Sequence, residues 1–247
     1  MLKTKAHWQT FEVSPDQTHH IVNQQPAYSN RFLSVLKFHE PGLAAVKDAR
    51  GAFHINSSGE PIYSDRFLQT FGFYENRASV QSSSGWYHIS PDGAEVYQDR
   101  FSWCGNYQEG YCSVRDKEGA FFHIDHKGRR AYPQTFKYTG DFHDRHAVIQ
   151  NTEGLHTHID CQGNFLHGKW FIDLDVYHKG FAKAKNAQGW FHIDRNGNSI
   201  YREHYQNIEP FYNGVARVET HQGALYLINE NGEKVGLLRA AAEDTFH

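Results

Sequence analysis

Close copies of the stretch GWFHIDRNGNSIY, residues 189–201, recur along the chain, and this recurrence indicates the fold. The stretch predicts two short β-strands joined by a turn at Gly197, since aromatic and β-branched residues flank a loop that contains glycine. His192 lies in the middle of the first of these strands, between Phe191 and Ile193. Taken alone, such a histidine is a candidate for catalysis, for metal binding or for a structural role.

The same histidine recurs at intervals of 34 or 35 residues. The copies are His20, His54, His88, His123, His158 and His192, and a seventh copy has Leu227 in this place. Other positions keep the same step, among them the aromatic residue that ends each copy, such as Tyr201. A fixed period of this size indicates a repeat architecture, in which each unit is one small piece of supersecondary structure.

Each unit predicts four short strands, which in the fifth unit are FIDLDVY, FAKAKN, GWFHID and SIY. The joints between them are short, so we expect an antiparallel meander. The bend between the first two strands usually carries Gly or Asn, which tolerate positive φ, and Arg145 is the exception. The pattern predicts an all-β fold, a β-propeller of about seven short four-stranded antiparallel blades. An open β-hairpin solenoid and a six-bladed propeller remain alternatives.

The unit boundaries follow from the same period. Residues 1–247 are predicted to form a single repeat domain, in which 1–29 supply a partial first unit with its last three strands. The full units are 30–64, 65–98, 99–133, 134–168, 169–202 and 203–236. Residues 237–247 are predicted to be a tail or the closing strand, which would pair the two ends of a ring.

The bulk composition argues against several classes of protein. The net charge is -3 over 247 residues, so no overall positive field attracts nucleic acid or an anionic membrane. No segment approaches the ~20 apolar residues of a membrane-spanning helix, and the N-terminus lacks the apolar run of a secretory signal. Three cysteines without a CxxC pair predict reduced thiols, and these features together predict a cytoplasmic protein.

The quoted stretch and the FYNGVARVE that follows it resemble the WG-repeat family. The residues that match its pattern are Trp190, Ile193, Asp194, Gly197, Gly214, Ala216 and Val218. This chain departs from the family after the tryptophan, where Phe191-His192 stands in place of Gly-Phe. The resemblance spans about residues 28–236. It implies a non-enzymatic interaction or scaffold array, with no catalytic residues to carry over.

A second resemblance concerns HWQTFEVSPDQTHHIVNQQPAYSNRF, GNYQEGYCSVRD and YHKGFAKA. These runs are similar to the N-terminal part of bacterial proteins that continue into an S-adenosylmethionine-dependent methyltransferase domain. The resemblance implies that this chain is the repeat module of such a protein. No GxGxxG follows a predicted strand, so we expect no cofactor and no methyltransferase activity in these residues.

The histidines of the repeat have two interpretations. We interpret His20, His54, His88, His123, His158 and His192 as structural, because a regular lattice offers each buried ring the same hydrogen-bond partners. The alternative is a ring of imidazoles that lines a site or binds metal. His143 and His146 could place two ligands on one turn, but zinc needs three or four, so no metal ligand is assigned.

The first strand of each unit supplies the candidate binding residues. In FIDLDVY the alternation puts two aspartates on one face, and other units continue that face; the set is Trp103, Tyr138, Asp173, Asp175, Asn207 and Glu209. If these strands line a central channel, the face suits a small polar or cationic ligand, or a sugar. Two carboxylates also allow a glycosidase pair, but nothing else in the sequence supports an enzyme.

We therefore predict a non-catalytic module that binds a protein partner or an adjacent domain, with no catalytic residues, no cofactor, and neither nucleic acid nor membrane as a partner. One alternative is a lectin-like module that binds a small polar ligand or a sugar. The other is a hydrolase with its site in the axial channel.

Overall fold

The computed structural model describes residues 7–241, and the chain divides into two compact units, 1–131 and 132–247. Strands dominate both units because the sequence alternates β-branched or aromatic residues with polar ones between frequent turn residues. Within residues 7–241 the helical element is a single 3-10 turn, His7–Thr10. The all-β prediction is confirmed.

Unit 1 contains four antiparallel sheets, each a meander in chain order. Sheet 1 consists of Glu12–Val13, His20–Val22 and Gln25–Pro26; sheet 2 of Ser34–His39, Leu43–Asp48 and Gly51–Ile55; sheet 3 of Gln69–Thr70, Ala78–Ser82 and Gly85–Ile89; sheet 4 of Trp103–Cys104, Tyr111–Arg115 and Phe121–Asp125.

Unit 2 contains three more sheets with the same connectivity. Sheet 5 consists of Tyr138–Thr139, His146–Gln150 and His156–Asp160; sheet 6 of Asp173–Leu174, Ala182–Asn186 and Gly189–Ile193; sheet 7 of Asn207–Ile208, Val215–Glu219, Leu225–Asn229 and Lys234–Arg239. Sheet 1 has the three strands predicted for a partial first unit, and the sheets recur with the period read from the histidines.

Two-residue hairpins join the first two strands of most sheets. In sheet 3, Tyr74 and Arg77 exchange backbone hydrogen bonds of 2.9 Å across Glu75 and Asn76, which both have positive φ. This geometry matches the right-handed twist of the flanking strands. Arg145, the exception in the turn pattern, adopts a φ of 63° nonetheless, so the hairpin imposes its backbone conformation on a residue that does not favour it.

The fourth strand of the repeat is shorter than predicted. In sheets 2 to 6 it is reduced to an isolated bridge, such as the pairing of Ile193 with Ser199 in the segment predicted as the strand SIY. One further backbone hydrogen bond, from Ile200 to His192, closes this bridge at 3.1 Å. The chain then turns so that Tyr201 faces inward, and a longer strand cannot form. Only sheet 7, among the described sheets, has a fourth strand of six residues.

This strand, Lys234–Arg239, pairs with Leu225–Asn229 and runs through the predicted boundary at residue 236. Leu237, Leu238 and Arg239 therefore extend the last strand of sheet 7 and do not supply the first strand of another sheet. The rest of the predicted closing segment, 242–247, lies outside the described residues.

The core of each unit consists of side chains that lie between successive sheets. The isoleucine that follows five of the repeat histidines is fully buried, as is Ile228 in the copy with Leu227; the set is Ile55, Ile89, Ile124, Ile159, Ile193 and Ile228. A second contact links the aromatic residue that ends one copy to the turn glycine of the next. The pairs are Tyr28–Gly59, Tyr63–Gly93, Tyr97–Gly128, Tyr132–Gly163, His167–Gly197 and Tyr201–Gly232. In each pair a Cβ on the glycine would lie within 3.0 Å of the ring, so only glycine fits.

No helix with the length and apolar character needed to cross a membrane occurs among residues 7–241. The three cysteines, Cys104, Cys112 and Cys161, are buried thiols.

Candidate functional site

Five of the repeat histidines bridge consecutive sheets within their own compact unit. In each copy with described contacts, ring atom Nε2 lies within hydrogen-bond distance of a carbonyl oxygen on or beside the first strand of the following sheet. The pairs are His20–Leu36 at 2.8 Å, His54–Phe71 at 2.7 Å, His88–Gly105 at 3.1 Å, His158–Asp175 at 2.9 Å and His192–Glu209 at 2.9 Å. His123 is fully buried at the equivalent position.

The other ring nitrogen meets the tyrosine that ends the same copy. Nδ1 lies 2.5 Å from the phenol oxygen in His20–Tyr28, His88–Tyr97 and His192–Tyr201, and His54 contacts Tyr63 in the same way. A carbonyl oxygen can only accept, so Nε2 carries the proton and donates it. Nδ1 therefore accepts from the tyrosine hydroxyl, and the imidazole is neutral with both nitrogens occupied.

Burial favours this neutral form. It lowers the pKa of His54, His88 and His192 to about 4, and the hydrogen bond to the carbonyl opposes the shift without cancelling it. Burial likewise raises the pKa of Tyr28 to about 12. Rings that stay neutral, with both nitrogens bonded to the protein, are poorly placed to transfer protons to a substrate.

One copy replaces the tyrosine by histidine. Nδ1 of His158 lies 3.2 Å from Nε2 of His167. Because His158 donates through Nε2 to Asp175, its Nδ1 must accept from His167. Burial, with a smaller contribution from His167, lowers the pKa of His158 to about 3. The hydrogen bond from His158 to sheet 6 is therefore kept, and the imidazole of His167 replaces the tyrosine hydroxyl as its second partner.

The predicted binding residues, which we call the first-strand residues, are exposed or half-buried. Trp103 lies in sheet 4 of unit 1, with 36% of its surface exposed. The other five lie in unit 2: Tyr138 in sheet 5, Asp173 and Asp175 in sheet 6, and Asn207 and Glu209 in sheet 7. The intervening Leu174 and Ile208 are buried, as the alternation requires. Whether these residues bind a ligand stays a prediction.

Two of the first-strand acids, Asp175 and Glu209, form ion pairs with the second strand of their own sheet. The Asp175 carboxylate accepts from Lys183 Nζ at 3.0 Å, and Glu209 pairs with Arg217. Asp173 lies opposite Lys185 in the register and accepts a backbone hydrogen bond of 2.9 Å from Leu174. The sequence pattern missed these basic partners, because cross-strand neighbours depend on a register that the sequence does not state.

A polar cavity of about 270 Å³ lies on sheet 7. It is lined by two ion pairs, Glu209–Arg217 and Glu219–Arg239, and by Asn207, with Leu225 among its apolar residues. Asn207 is directly opposite Glu219 in the strand register. Sequence reasoning identified the asparagine and one glutamate here, and it missed Glu219 and both arginines.

His143 and His146, considered as metal ligands, close one hairpin through paired backbone hydrogen bonds of 2.8 and 3.1 Å. His143 is exposed, whereas the ring of His146 lies 5.9 Å from that of Tyr177. The buried Nδ1 of His146 has no hydrogen-bond partner among the described residues. Metal binding by this pair stays untested.

Comparisons with known proteins support the repeat. The family model described as WG containing repeat matches residues 190–221, which include Trp190 and the turn at Gly197. No curated protein matches the chain. Among solved structures, the computationally designed Ika8 protein has a TM-score of 0.52 and 11% identity, covering 93% of this chain and 82% of that one.

Two further structures are less similar. BamB from Moraxella catarrhalis has a TM-score of 0.49 and 12% identity, covering 88% of this chain and 78% of that one. The WD40 beta propeller domain of Doa1 has a TM-score of 0.40 and 13% identity, covering 90% of this chain and 86% of that one. At these identities a likeness concerns the fold alone. Residues 190–221 are thus similar to a WG containing repeat, within a chain of repeated antiparallel sheets.

Proposed function

We propose that the chain is a non-catalytic binding module whose first-strand residues recognise a protein partner. The proposal rests on one observation: the buried polar groups join the sheets, whereas the polar groups of the first strands are exposed. The repeat imidazoles hold neighbouring sheets together, while charged and aromatic side chains of the first strands remain on the surface. Exposed aromatic groups and paired charges favour recognition of another protein.

The ion pairs support binding over hydrolysis. In a glycosidase one of two carboxyl groups must carry a proton as the general acid. Here Asp175 and Glu209 are each engaged in an ion pair with a basic side chain of the neighbouring strand. A surface on which carboxylates pair with lysine and arginine suits a partner of mixed charge.

Two finer proposals accompany this function. The first is that the seven sheets are blades of a propeller, which the count of units and their strand order support. The second is that the module serves an adjacent methyltransferase domain, which rests on the sequence resemblance alone. Reading the coding sequence beyond His247 tests the second. The buried cysteine thiols support a cytoplasmic location, which is also a proposal.

The experiment compares the wild-type chain with two variants that lose the same charge. Asp175→Asn with Glu209→Gln neutralises the two ion-paired first-strand acids, and Glu203→Gln with Glu230→Gln neutralises two exposed acids elsewhere in unit 2. Proteins captured by the immobilised wild type are identified, and their affinities for all three chains are measured by calorimetry. We expect the first variant to lose about tenfold in affinity, roughly 1.4 kcal/mol, and the control less than twofold.

Equal affinities for the two variants would contradict the proposal, provided that both melt at the wild-type temperature. A second candidate is a small polar ligand or sugar, which the cavity on sheet 7 favours because two ion pairs and an asparagine line it. A metabolite that raises the melting temperature of the wild type, but not of Arg217→Gln, would replace the first candidate by the second.

A further inference from the structure

Sheets 2, 3 and 4 share a stacking contact between an arginine and an aromatic ring. The ring belongs to the residue before the repeat histidine. The guanidinium carbon lies a short distance from the ring centroid in three pairs: Arg66 over Phe53 at 3.5 Å, Arg100 over Tyr87 at 3.7 Å and Arg130 over Phe122 at 3.8 Å. A planar guanidinium on the negative face of a ring is a stabilising arrangement.

Two repeat positions supply these arginines. Arg66 and Arg100 are the twelfth residue after the repeat histidine, and Arg130 is the seventh. Arg100 also forms an ion pair with Glu95, the seventh residue after His88, with 2.6 Å between Nη2 and Oε1. Across sheets 2 to 4 the seventh residue is Pro61, Glu95 and Arg130, and the twelfth is Arg66, Arg100 and Thr135, so each position carries a charged side chain in two of the three sheets.

Sheet 5 inverts this arrangement. Thr157 stands where the other sheets have the ring, and both charged positions carry aromatic residues, Phe165 and Trp170. The two rings meet edge to face, with centroids 5.5 Å apart and an interplanar angle of 66°. Phe165 is 53% exposed and Trp170 is 36% exposed. In sheets 2 to 4 the aromatic ring lies on the third strand, whereas in sheet 5 the aromatic rings lie on the exposed loop that follows this strand.

Neither ring is covered by a cation of the described residues. Within residues 7–241, the lysines and arginines that stack on aromatic side chains do so elsewhere. The neighbouring Lys169 directs its Nζ to the side chain of Asn198, 2.6 Å away. The hydroxyl of Thr157, fully buried at the ring position, has no hydrogen-bond partner among the described residues. Sheet 5 therefore presents the aromatic half of the contact without the guanidinium half.

We propose that Phe165 and Trp170 form a docking site for an arginine side chain of a protein partner. The incoming guanidinium would stack on the exposed rings and so complete, between two molecules, the contact that sheets 2 to 4 make within the chain. Arginine fits better than lysine because its group is planar and weakly hydrated. A second copy of the repeat lattice is a poor donor, since Arg66 and Arg100 are engaged with Asp48 and Glu95. This site is separate from the first-strand residues, so either proposal can fail alone.

The test titrates the full chain with short glycine peptides that carry two arginines, two citrullines, two lysines or two prolines. Citrulline keeps the shape of arginine and removes its charge. Binding is followed through the indole N–H resonance of Trp170, assigned by its loss in Trp170→Phe. We expect the arginine peptide to bind about three- to fivefold more tightly than the citrulline peptide, the difference that one exposed cation–π contact supplies.

Two variants separate docking from folding. Trp170→Arg restores the residue that two other units have at this position, so it should fold and should abolish binding by charge repulsion. Tyr212→Ala removes an exposed aromatic residue on the hairpin of sheet 7, outside the first-strand residues, and should leave binding unchanged. These two titrations are followed by calorimetry. Equal affinity for arginine and citrulline, tightest binding of the proline peptide, retained binding in Trp170→Arg, or no saturable response to any peptide would overturn the proposal.

Discussion

At the scale of single residues, the chain uses histidine where the WG-repeat pattern has phenylalanine. A phenylalanine could fill the same space, but it could not join a tyrosine hydroxyl to a carbonyl oxygen of the next sheet. His192 makes both bonds, to Tyr201 at 2.5 Å and to Glu209 at 2.9 Å. The departure therefore replaces an apolar contact by two directed hydrogen bonds, which fix the register of one sheet against the next.

Replacing His192 by phenylalanine tests this role. The variant leaves the Tyr201 hydroxyl and the Glu209 carbonyl without their partner, so we expect unfolding to become easier by about 1–3 kcal/mol. Urea denaturation measures the loss. Adding Tyr201→Phe removes one of the orphaned groups and should recover part of the stability, which a double-mutant cycle quantifies. Unchanged stability combined with lost partner binding would assign His192 to a binding site.

At the scale of the elements, short turns and the rings that cover them determine where each strand ends. The sequence pattern predicted the antiparallel strands, the hairpin bends and the period, because these depend on local alternation and on glycine. It did not predict that SIY would form only a bridge, because the turn of Tyr201 toward His192 depends on a contact between residues nine apart. The basic partners Lys183 and Arg217 escaped for a related reason, since they face the predicted acids only through the strand register.

Two glycines separate the effect of the ring from that of backbone strain. Gly93 and Gly119 have φ values of 88° and 89°, but a Cβ on Gly93 would lie 2.7 Å from the Tyr63 ring, whereas nothing lies within 4 Å at Gly119. We expect Gly119→Ala to cost about 1 kcal/mol from positive φ alone. Gly93→Ala should cost about 1–3 kcal/mol more, because the added methyl group overpacks the contact.

Thermal and urea unfolding of the two glycine variants measure this difference directly. Losses of equal size would show that the ring yields to the methyl group, and that the packing of Tyr63 on the turn contributes little to the junction between the sheets.

At the scale of the whole molecule, the repeated imidazoles make stability depend on pH. The pKa is about 4 for His54, His88 and His192 in the folded chain and about 3 for His158, against an ordinary value near 6.5. The unfolded chain therefore binds more protons than the folded chain between these limits. Stability is complete above pH 6.5 and is lost as the pH falls toward 4.

Each of these four groups contributes about 1.4 kcal/mol per pH unit inside that window, so together they give a slope of about 5 kcal/mol per pH unit. Between pH 6.5 and pH 5 these groups together remove about 8 kcal/mol, which is enough to unfold a domain in the lower half of the ordinary range of about 5–15 kcal/mol. Urea denaturation at several pH values measures the slope. The variant His192→Phe lacks one of the four titrating groups, so its slope should be smaller by about 1.4 kcal/mol per pH unit. A stability that stays constant from pH 7.5 to about pH 5 would be incompatible with neutral buried imidazoles.

The junctions between sheets also bear on how such a chain changes its length. Each described junction is made by the same four groups: the repeat imidazole, the aromatic residue that ends the copy, the carbonyl oxygen that accepts a hydrogen bond from the imidazole, and the turn glycine that packs against the aromatic ring. A segment of 34 or 35 residues cut at equivalent points would therefore have, at both of its ends, the groups that form these contacts with a neighbouring sheet. Recombination between copies could therefore insert, delete or exchange whole units without creating a foreign junction. Leu227, which lacks the imidazole, marks the one copy that could not be exchanged in this way.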